Sequence, residues 1–260
     1  MAAMQVEQPR AAAATTMKAV RIHGFGGPEV LRYEDAPKPV VKAGDVLVHI
    51  RAAGVNPIDW KVRSGYMKEA FESRLPMILG VDMAGVIESV GDNVTGFKAG
   101  DAVYGYLGVP HGGTYAEYVA ADASSLALKP ESFDFIEAAA LPLVSLVGWQ
   151  TLFDIAGLEK GQTVLIHGAS GGVGHIAAQL AKWKGAKVVG TASARNLDFL
   201  REIGVDMVID YQNTRFEEML RNIDVVLDTQ AGDTQQRSYK VLKKDGILVS
   251  TLGIDNPAEA

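Results

Sequence analysis

The chain has 260 residues, 48% hydrophobic and 22% charged, with a formal net charge of −6 at pH 7 and no cysteine. That length allows two domains with a core each, and the composition is that of an ordinary soluble globular protein. The acidic balance speaks against nucleic acid as the main ligand, the lack of cysteine excludes disulfides and thiolate metal sites, and no apolar run reaches the ~20 residues of a membrane span. A cytoplasmic location suits these features.

Residues 1–16 are alanine-rich with a single Arg and lack the apolar region of a secretory signal. They are expected to form a disordered extension, with a remnant of an organelle-targeting peptide as the other reading. From Met17 the texture is β-like. Lys18–Ile22 and the alternating run Asp45–Arg51 read as strands, and Gly24, Gly26, Gly27, Pro28, Pro37, Pro39 and Gly44 punctuate them. Val86–Val103 continues the pattern with turns at Gly91-Asp92 and Gly100-Asp101, and His111–Val119 reads as a further strand. Short strands with turn signals about every dozen residues predict an antiparallel barrel or sandwich over residues 17–131.

The texture changes near Ser132. Phe135–Leu141 reads as a helix, Pro142 as an interruption, and Val144–Ile155 as resumed helical periodicity. Thr163–His167 is a short apolar strand, a glycine cluster follows it, and from Gly172 the residues Val173, Ile176, Ala177, Leu180 and Trp183 recur at helical spacing. A strand, a tight glycine turn and a helix start make an anion cradle, because the first N–H groups of the helix lack partners and the dipole is positive there. Ala169-x-Gly171-x-x-Gly174 is either a connecting turn or the dinucleotide fingerprint with Ala in its first place. Strand-like segments recur at 186–191, 206–210, 223–228 and 246–251, with helical stretches around 197–203, 216–220 and 239–243. The alternation predicts a parallel, doubly wound sheet over residues 132–260, five strands where the usual sheet has six. The missing strand implies an exposed sheet edge and an uncovered apolar patch.

An NAD-selective fingerprint places Asp or Glu at the end of the second strand. Here that strand ends Gly190-Thr191-Ala192-Ser193-Ala194-Arg195-Asn196, with no carboxylate. A hydroxyl and a guanidinium there suit a ribose 2′-phosphate. The other reading makes Ser193 an N-cap and Arg195 a solvated first-turn residue.

The runs Gly54-Val55-Asn56-Pro57-Ile58-Asp59 and Gly80-Val81-Asp82-Met83-Ala84-Gly85-Val86, the turn series from Val90-Gly91 to Gly100-Asp101, and Gly168-Ala169-Ser170-Gly171-Gly172-Val173-Gly174 together resemble the medium-chain dehydrogenase/reductases. Within them the chain is most similar to the zinc-free quinone oxidoreductase and alkenal (enone) reductase branch. The resemblance implies a GroES-like substrate domain over 17–131 and a Rossmann domain, incomplete at its end, over 132–260. It implies NADPH as cofactor, a quinone or enone as substrate, and a homodimer. A non-catalytic NADPH-binding or structural protein on the same fold is the alternative. By the same resemblance the cofactor meets Ser170, Gly171, Gly172, Val173, Gly174, Ser193, Arg195, Asn196, Tyr211, Leu252 and Gly253. The loop Asn56–Lys61 places Lys61 to hold the substrate or the nicotinamide carboxamide, with Asn56 as hydrogen-bond donor.

Zinc-dependent relatives hold their metal with Cys and His where this chain has Asn56 and Val81, and neither can replace them. The five histidines, His23, His49, His111, His167 and His175, show no pair at ligand spacing and are read as surface or local hydrogen-bonding residues. No metal site is expected. Without a Lewis acid to polarise an alcohol, reduction of an already activated acceptor is the feasible reaction. Trp60, Tyr66, Met67 and Tyr104 are candidates for either core or substrate pocket.

Overall fold

A computed structural model describes residues 16–109 and 111–255. Apart from Thr16, the expected N-terminal extension lies outside them. The described residues belong to two compact units that divide between Leu143 and Val144.

In the first unit the strands are β1 (Thr16–Ile22), β2 (Leu31–Pro37), β3 (Asp45–Gly54), β4 (Met77–Ile78), β5 (Asp82–Val90), β6 (Ala102–Tyr106), β7 (Tyr118–Asp122) and β8 (Leu126–Leu128). They form two antiparallel sheets, ordered β2-β1-β4 and β7-β3-β5-β6-β8. Val46, Val48, Met83, Ile87 and Val103 fill the core of the larger sheet. The alternation of β3 is broken where its register with β5 shifts between Leu47 and Val48, so three successive residues, Val46 to Val48, are buried. The strand expected over 111–119 begins only at Tyr118. Its earlier part carries Gly112 and Gly113, and meets β1 in a single bridge, Ala19 to Ala116.

The described residues of this unit also form the α-helices α1 (Pro57–Arg63), α2 (Lys68–Phe71) and α3 (Phe135–Ala139) and short 3-10 turns. The stretch read as a loop from Asn56 to Lys61 is therefore a helix. Asn56 stands at its N-cap and Pro57 in its first turn, where proline's missing N–H costs nothing. Helix α3 extends the unit beyond Ser132, since Ala138 and Ala139 are buried against Ala84. Trp60 and Tyr66 are exposed, Met67 borders on it, and only Tyr104 packs with the small core around Ala84.

Helix α4 (Pro142–Trp149) begins at the proline expected to interrupt it and runs into a π-helical turn, Gln150–Ile155. The second unit then alternates β9 (Thr163–Ile166), α5 (Gly172–Lys184), β10 (Lys187–Ala192), α6 (Leu197–Glu202), β11 (Met207–Asp210), α7 (Phe216–Met219), β12 (Ile223–Asp228), α8 (Gly232–Ser238) and β13 (Leu242–Ser250). All five strands are parallel, in the order β11-β10-β9-β12-β13. β9 is the switch point from which the chain winds both ways, and the crevice at its carboxyl end is where such sheets take ligands. One face of the sheet packs Val164, Ile166, Val188 and Leu227 with Ala177, Ala178 and Ala181 of α5. The other packs Leu165, Val189, Ile209 and Val226 with Phe216, Leu220 and Val241.

The helix expected around 239–243 lies earlier. The buried Asp228 carboxylate accepts N–H groups from Gln230 and Ala231, which starts α8 at Gly232, and Val241 turns into the core beside Leu242. β13 is an edge of the sheet as described.

Candidate functional site

The cradle of the second unit is set by close backbone approach. Gly168 has φ +63°, and a Cβ there would meet Gln230 Nε2 at 2.5 Å and Thr229 Oγ1 at 2.7 Å. A Cβ on Gly174 would stand 2.3 Å from the Gly168 carbonyl oxygen and 2.7 Å from Ala169 Cα, so this glycine lets the first turn of α5 lie on the strand-to-helix turn. Gly171 and Gly172 face outward and are exposed. The N–H groups of Gly172, Val173 and Gly174 have no acceptor within their helix, and no acidic side chain occupies its first turn. An oxyanion complements both features.

The end of β10 is tied to this turn. Asn196 Nδ2 donates to Ser170 Oγ at 3.0 Å and to Ser193 Oγ at 3.4 Å, which brings three of the expected cofactor residues together. Ser193 heads a 3-10 turn, Ala194–Asn196, without a side-chain capping bond. Arg195 is exposed in that turn and makes no ion pair among the described residues. Tyr211 donates its backbone N–H to Ala192 at 3.2 Å and exposes 59% of its surface. Leu252 is exposed. The Gly253 carbonyl accepts from Gln235 Nε2 at 2.9 Å, which ties this segment to α8 and not to the glycine turn.

A cavity of about 180 Å³ opens beside Gly168 and Tyr211, lined also by Thr191, Gln230, Thr234 and Arg237. Sequence reading passed over these four residues, which lie on β10, the turn before α8 and α8 itself. His167 underlies it, 1% exposed. Its Nε2 meets Ser238 Oγ at 2.9 Å and its Nδ1 meets Thr191 Oγ1 at 3.1 Å. Ser238 gives its own hydrogen to the Thr234 carbonyl, so Nε2 carries the imidazole proton and Nδ1 accepts from Thr191. Burial pushes the His167 pKa down to about 4, with the Arg237 charge adding to it and Asp228 opposing, and the ring is neutral at physiological pH. Arg237 lies over the Phe216 ring and pairs with Glu217 at 3.1 Å.

The first unit holds the other candidates. Asn56 Nδ2 donates to Asp82 Oδ2 at 2.9 Å, and the Asn56 backbone N–H donates to Asp59 Oδ2 at 2.7 Å. The same Asp59 oxygen accepts from the Tyr115 hydroxyl at 2.8 Å. All three polar side chains of the set Asn56, Asp59 and Asp82 are buried. Burial raises the Asp59 pKa, raises that of Asp82 to about 6, and raises that of Tyr115 well above its ordinary value. Lys61 is half-buried on α1, and its ammonium makes no bond to this cluster. Val81 is buried and aliphatic. No group of three or more His, Asp or Glu among the described residues is arranged to hold a metal ion, and the donors nearest the zinc position of the family, an amide engaged by a carboxylate and a valine, do not fit zinc.

Two family models match the chain: the alcohol dehydrogenase GroES-like domain over residues 42–131, and the zinc-binding dehydrogenase domain over residues 172–259. The chain is 38% identical over 250 residues to the 2-methylene-furan-3-one reductase of Solanum lycopersicum, spanning 93% of this chain and 63% of that protein. It is 35% identical over 253 residues to the quinone oxidoreductase of Mus musculus, spanning 94% and 75%. The Escherichia coli quinone oxidoreductase complexed with NADPH is 32% identical, with a TM-score of 0.81 over 90% of this chain and 72% of that one. With its antiparallel first unit, doubly wound second unit and glycine cradle, the chain belongs to the quinone oxidoreductase family of the medium-chain dehydrogenase/reductases.

Proposed function

We propose that the chain is an NADPH-dependent reductase that delivers hydride to a quinone or an α,β-unsaturated carbonyl without zinc, its first unit carrying the substrate and its second the nucleotide. One observation carries the reading. The end of β10 offers Ser193, bonded through Asn196 to Ser170 of the glycine turn, and Arg195, which makes no ion pair among the described residues, at the place where an NAD-selective site would hold a carboxylate. A phosphate on the adenosine ribose meets a guanidinium and a hydroxyl there, whereas a bare ribose finds no acid to accept its 2′-hydroxyl. The names of the tomato and mouse relatives, and the NADPH in the E. coli structure, point the same way.

Bound NADPH supplies the hydride; the chain supplies orientation and charge. The N–H groups of Gly172 to Gly174 and the helix dipole hold the pyrophosphate, and the cavity beside Gly168 and Tyr211 takes the adenosine half. Hydride arriving at a carbon β to a carbonyl leaves negative charge on the oxygen. The second hydrogen of Asn56 Nδ2, beyond the one given to Asp82, donates to such an oxygen, and the Lys61 ammonium provides the opposite charge. No Lewis acid is called for, since the acceptor is already activated.

The test is NADPH oxidation followed by absorbance with a panel of small enones and quinones, for the parent chain and for Arg195→Ala. A lost charge-assisted contact of about 1.5–3 kcal/mol raises KM for NADPH roughly ten- to a hundredfold and leaves that for NADH unchanged. Equal effects on both cofactors would remove the phosphate assignment, and a chelator that abolished turnover would remove the zinc-free one.

A further inference from the structure

Asp82 is the most enclosed charge among the described residues of the first unit, 1% exposed, and no cation among them meets it. Its carboxylate is held by two N–H donors. Asn56 Nδ2 reaches Oδ2 at 2.9 Å, and the backbone N–H of Leu143, in the first turn of α4, reaches Oδ1 at 3.1 Å and Oδ2 at 3.3 Å. Gly54 closes one side: a Cβ there would stand 2.9 Å from Asp82 Cβ and 2.5 Å from the Ala139 carbonyl.

The titratable groups turned towards Asp82 are all acids or phenols. Helix α1 brings Asp59, β6 brings Tyr106, and the segment before β7 brings Tyr115, whose hydroxyl is given to Asp59. From α3 it meets no charge, because Glu137 turns back to the Asp134 N–H. β3 contributes Gly54, and its His49 stacks on Tyr118.

We infer that Asp82 is a positioning residue that sets the orientation of the Asn56 amide, nitrogen towards β5, and that it does so only as a carboxylate. A carboxylate accepts and cannot donate, so only the nitrogen end of the amide satisfies it. A neutral Asp82 carries an O–H that pairs better with the amide oxygen, and the Leu143 N–H competes for the acceptor that is left. The amide then turns, and the end facing away from Asp82 changes from donor to acceptor. Burial without a cation puts the midpoint of this change near pH 6, with the donor orientation above it. That Asn56 acts on substrate rests on the function proposed above. The coupling of its amide to Asp82 does not.

The experiment uses the full chain labelled with ¹⁵N, without cofactor. The Asn56 side-chain amide pair, identified by its loss in Asn56→Ser, is followed from pH 4.5 to 8 together with the Leu143 backbone amide. Both are expected to shift with one midpoint near 6, and the shift of Asn56 is expected to vanish in Asp82→Asn. An Asn56 signal that stays flat, or one that titrates without Leu143, overturns the inference. In turnover, the acid limb of kcat is expected to disappear in Asp82→Asn while the Kd for NADPH changes less than about twofold. An acid limb that persists also overturns it. A parent chain that turns over no substrate refutes the proposed function, and the amide titration still decides the role of Asp82.

Discussion

The packing of α5 on the strand-to-helix turn makes a sharp test of the cradle. Substituting Gly174→Ala adds one methyl whose nearest neighbours are all backbone: the Gly168 oxygen at 2.3 Å, Ala169 Cα at 2.7 Å and Ala169 C at 2.9 Å. Ordinary contact begins at 3.4 Å, so the helix start must retreat by about 1 Å, and no side chain can swing aside to spare it. The retreat also loosens Ala177, Ala178 and Ala181, each 0% exposed where they pack on the sheet. Overpacking of this kind costs roughly 1–3 kcal/mol, and the better helix propensity of alanine returns at most about 1 kcal/mol. A net loss of about 1–2 kcal/mol is expected. Gly172→Ala is the control, because its Cβ meets only Val144 Cγ1 at 3.2 Å, and a change within about 0.5 kcal/mol is expected there. Urea unfolding of both variants gives the stability, and quenching of intrinsic fluorescence by NADPH gives the affinity, expected to fall about tenfold only in Gly174→Ala. A Gly174→Ala chain as stable as the parent, binding NADPH as tightly, would refute the close-approach reasoning.

Further outcomes follow from the same geometry. Ala231 sits at φ +60°, ψ −167°, a conformation proper to glycine, so Ala231→Gly is expected to stabilise the chain by roughly 1 kcal/mol in urea unfolding. His167 is held neutral by burial, with a pKa of about 4 against an ordinary 6.5. Between those values this residue is protonated in the unfolded chain and neutral in the folded one, so its own contribution to stability is complete above pH 6.5 and declines as the pH falls towards 4, by up to about 3 kcal/mol, while Asp82, raised to about 6, acts in the opposite sense. His167→Gln is expected to flatten that decline in urea midpoints measured from pH 7 to 5; a slope equal to the parent's would show that other groups cause it.

The fold was legible where one local signal decided each element. Thr163–Ile166 and Ile223–Asp228 are apolar on both faces and became parallel strands buried on both faces. The period-3.6 run from Gly172 became α5, ended by Gly185 at φ +86°. The errors fall where side-chain bonding competed with pattern. Asn56-Pro57 looked like a loop because both residues favour turns, yet a cap followed by proline is also how a helix starts. Around Tyr239 to Lys243 the propensities allow a helix, but Lys243 is paired to Asp224 and Val241 is needed in the core, so the chain is drawn into β13.

The site divides along a different line. Of the proposed site, the glycine turn and the segment Ser193–Asn196 stand out in the sequence because each is contiguous and its chemistry is local: bare backbone for an anion, a hydroxyl and a guanidinium in place of an acid. Asp82 and His167 carried no such signal. Asp82 reads as one acid in an apolar strand, and its meaning comes from an amide 26 residues before it and a helix start 61 residues after it. His167 reads as the polar end of β9, and its tautomer is fixed by Thr191 and by Ser238, 71 residues away. In both cases the chemistry belongs to a buried side chain whose partners are supplied by other elements, and burial, which sets the protonation state, is a property of the packed chain and not of the residue. Asn56, at the N-cap of α1, and Lys61, within that helix, differ in the same way. Asp59 holds the Asn56 backbone N–H at 2.7 Å and Asp82 holds its amide at 2.9 Å, whereas the Lys61 ammonium has no partner among the described residues, so under the proposed function a substrate would meet a pre-oriented amide and would itself have to order the lysine.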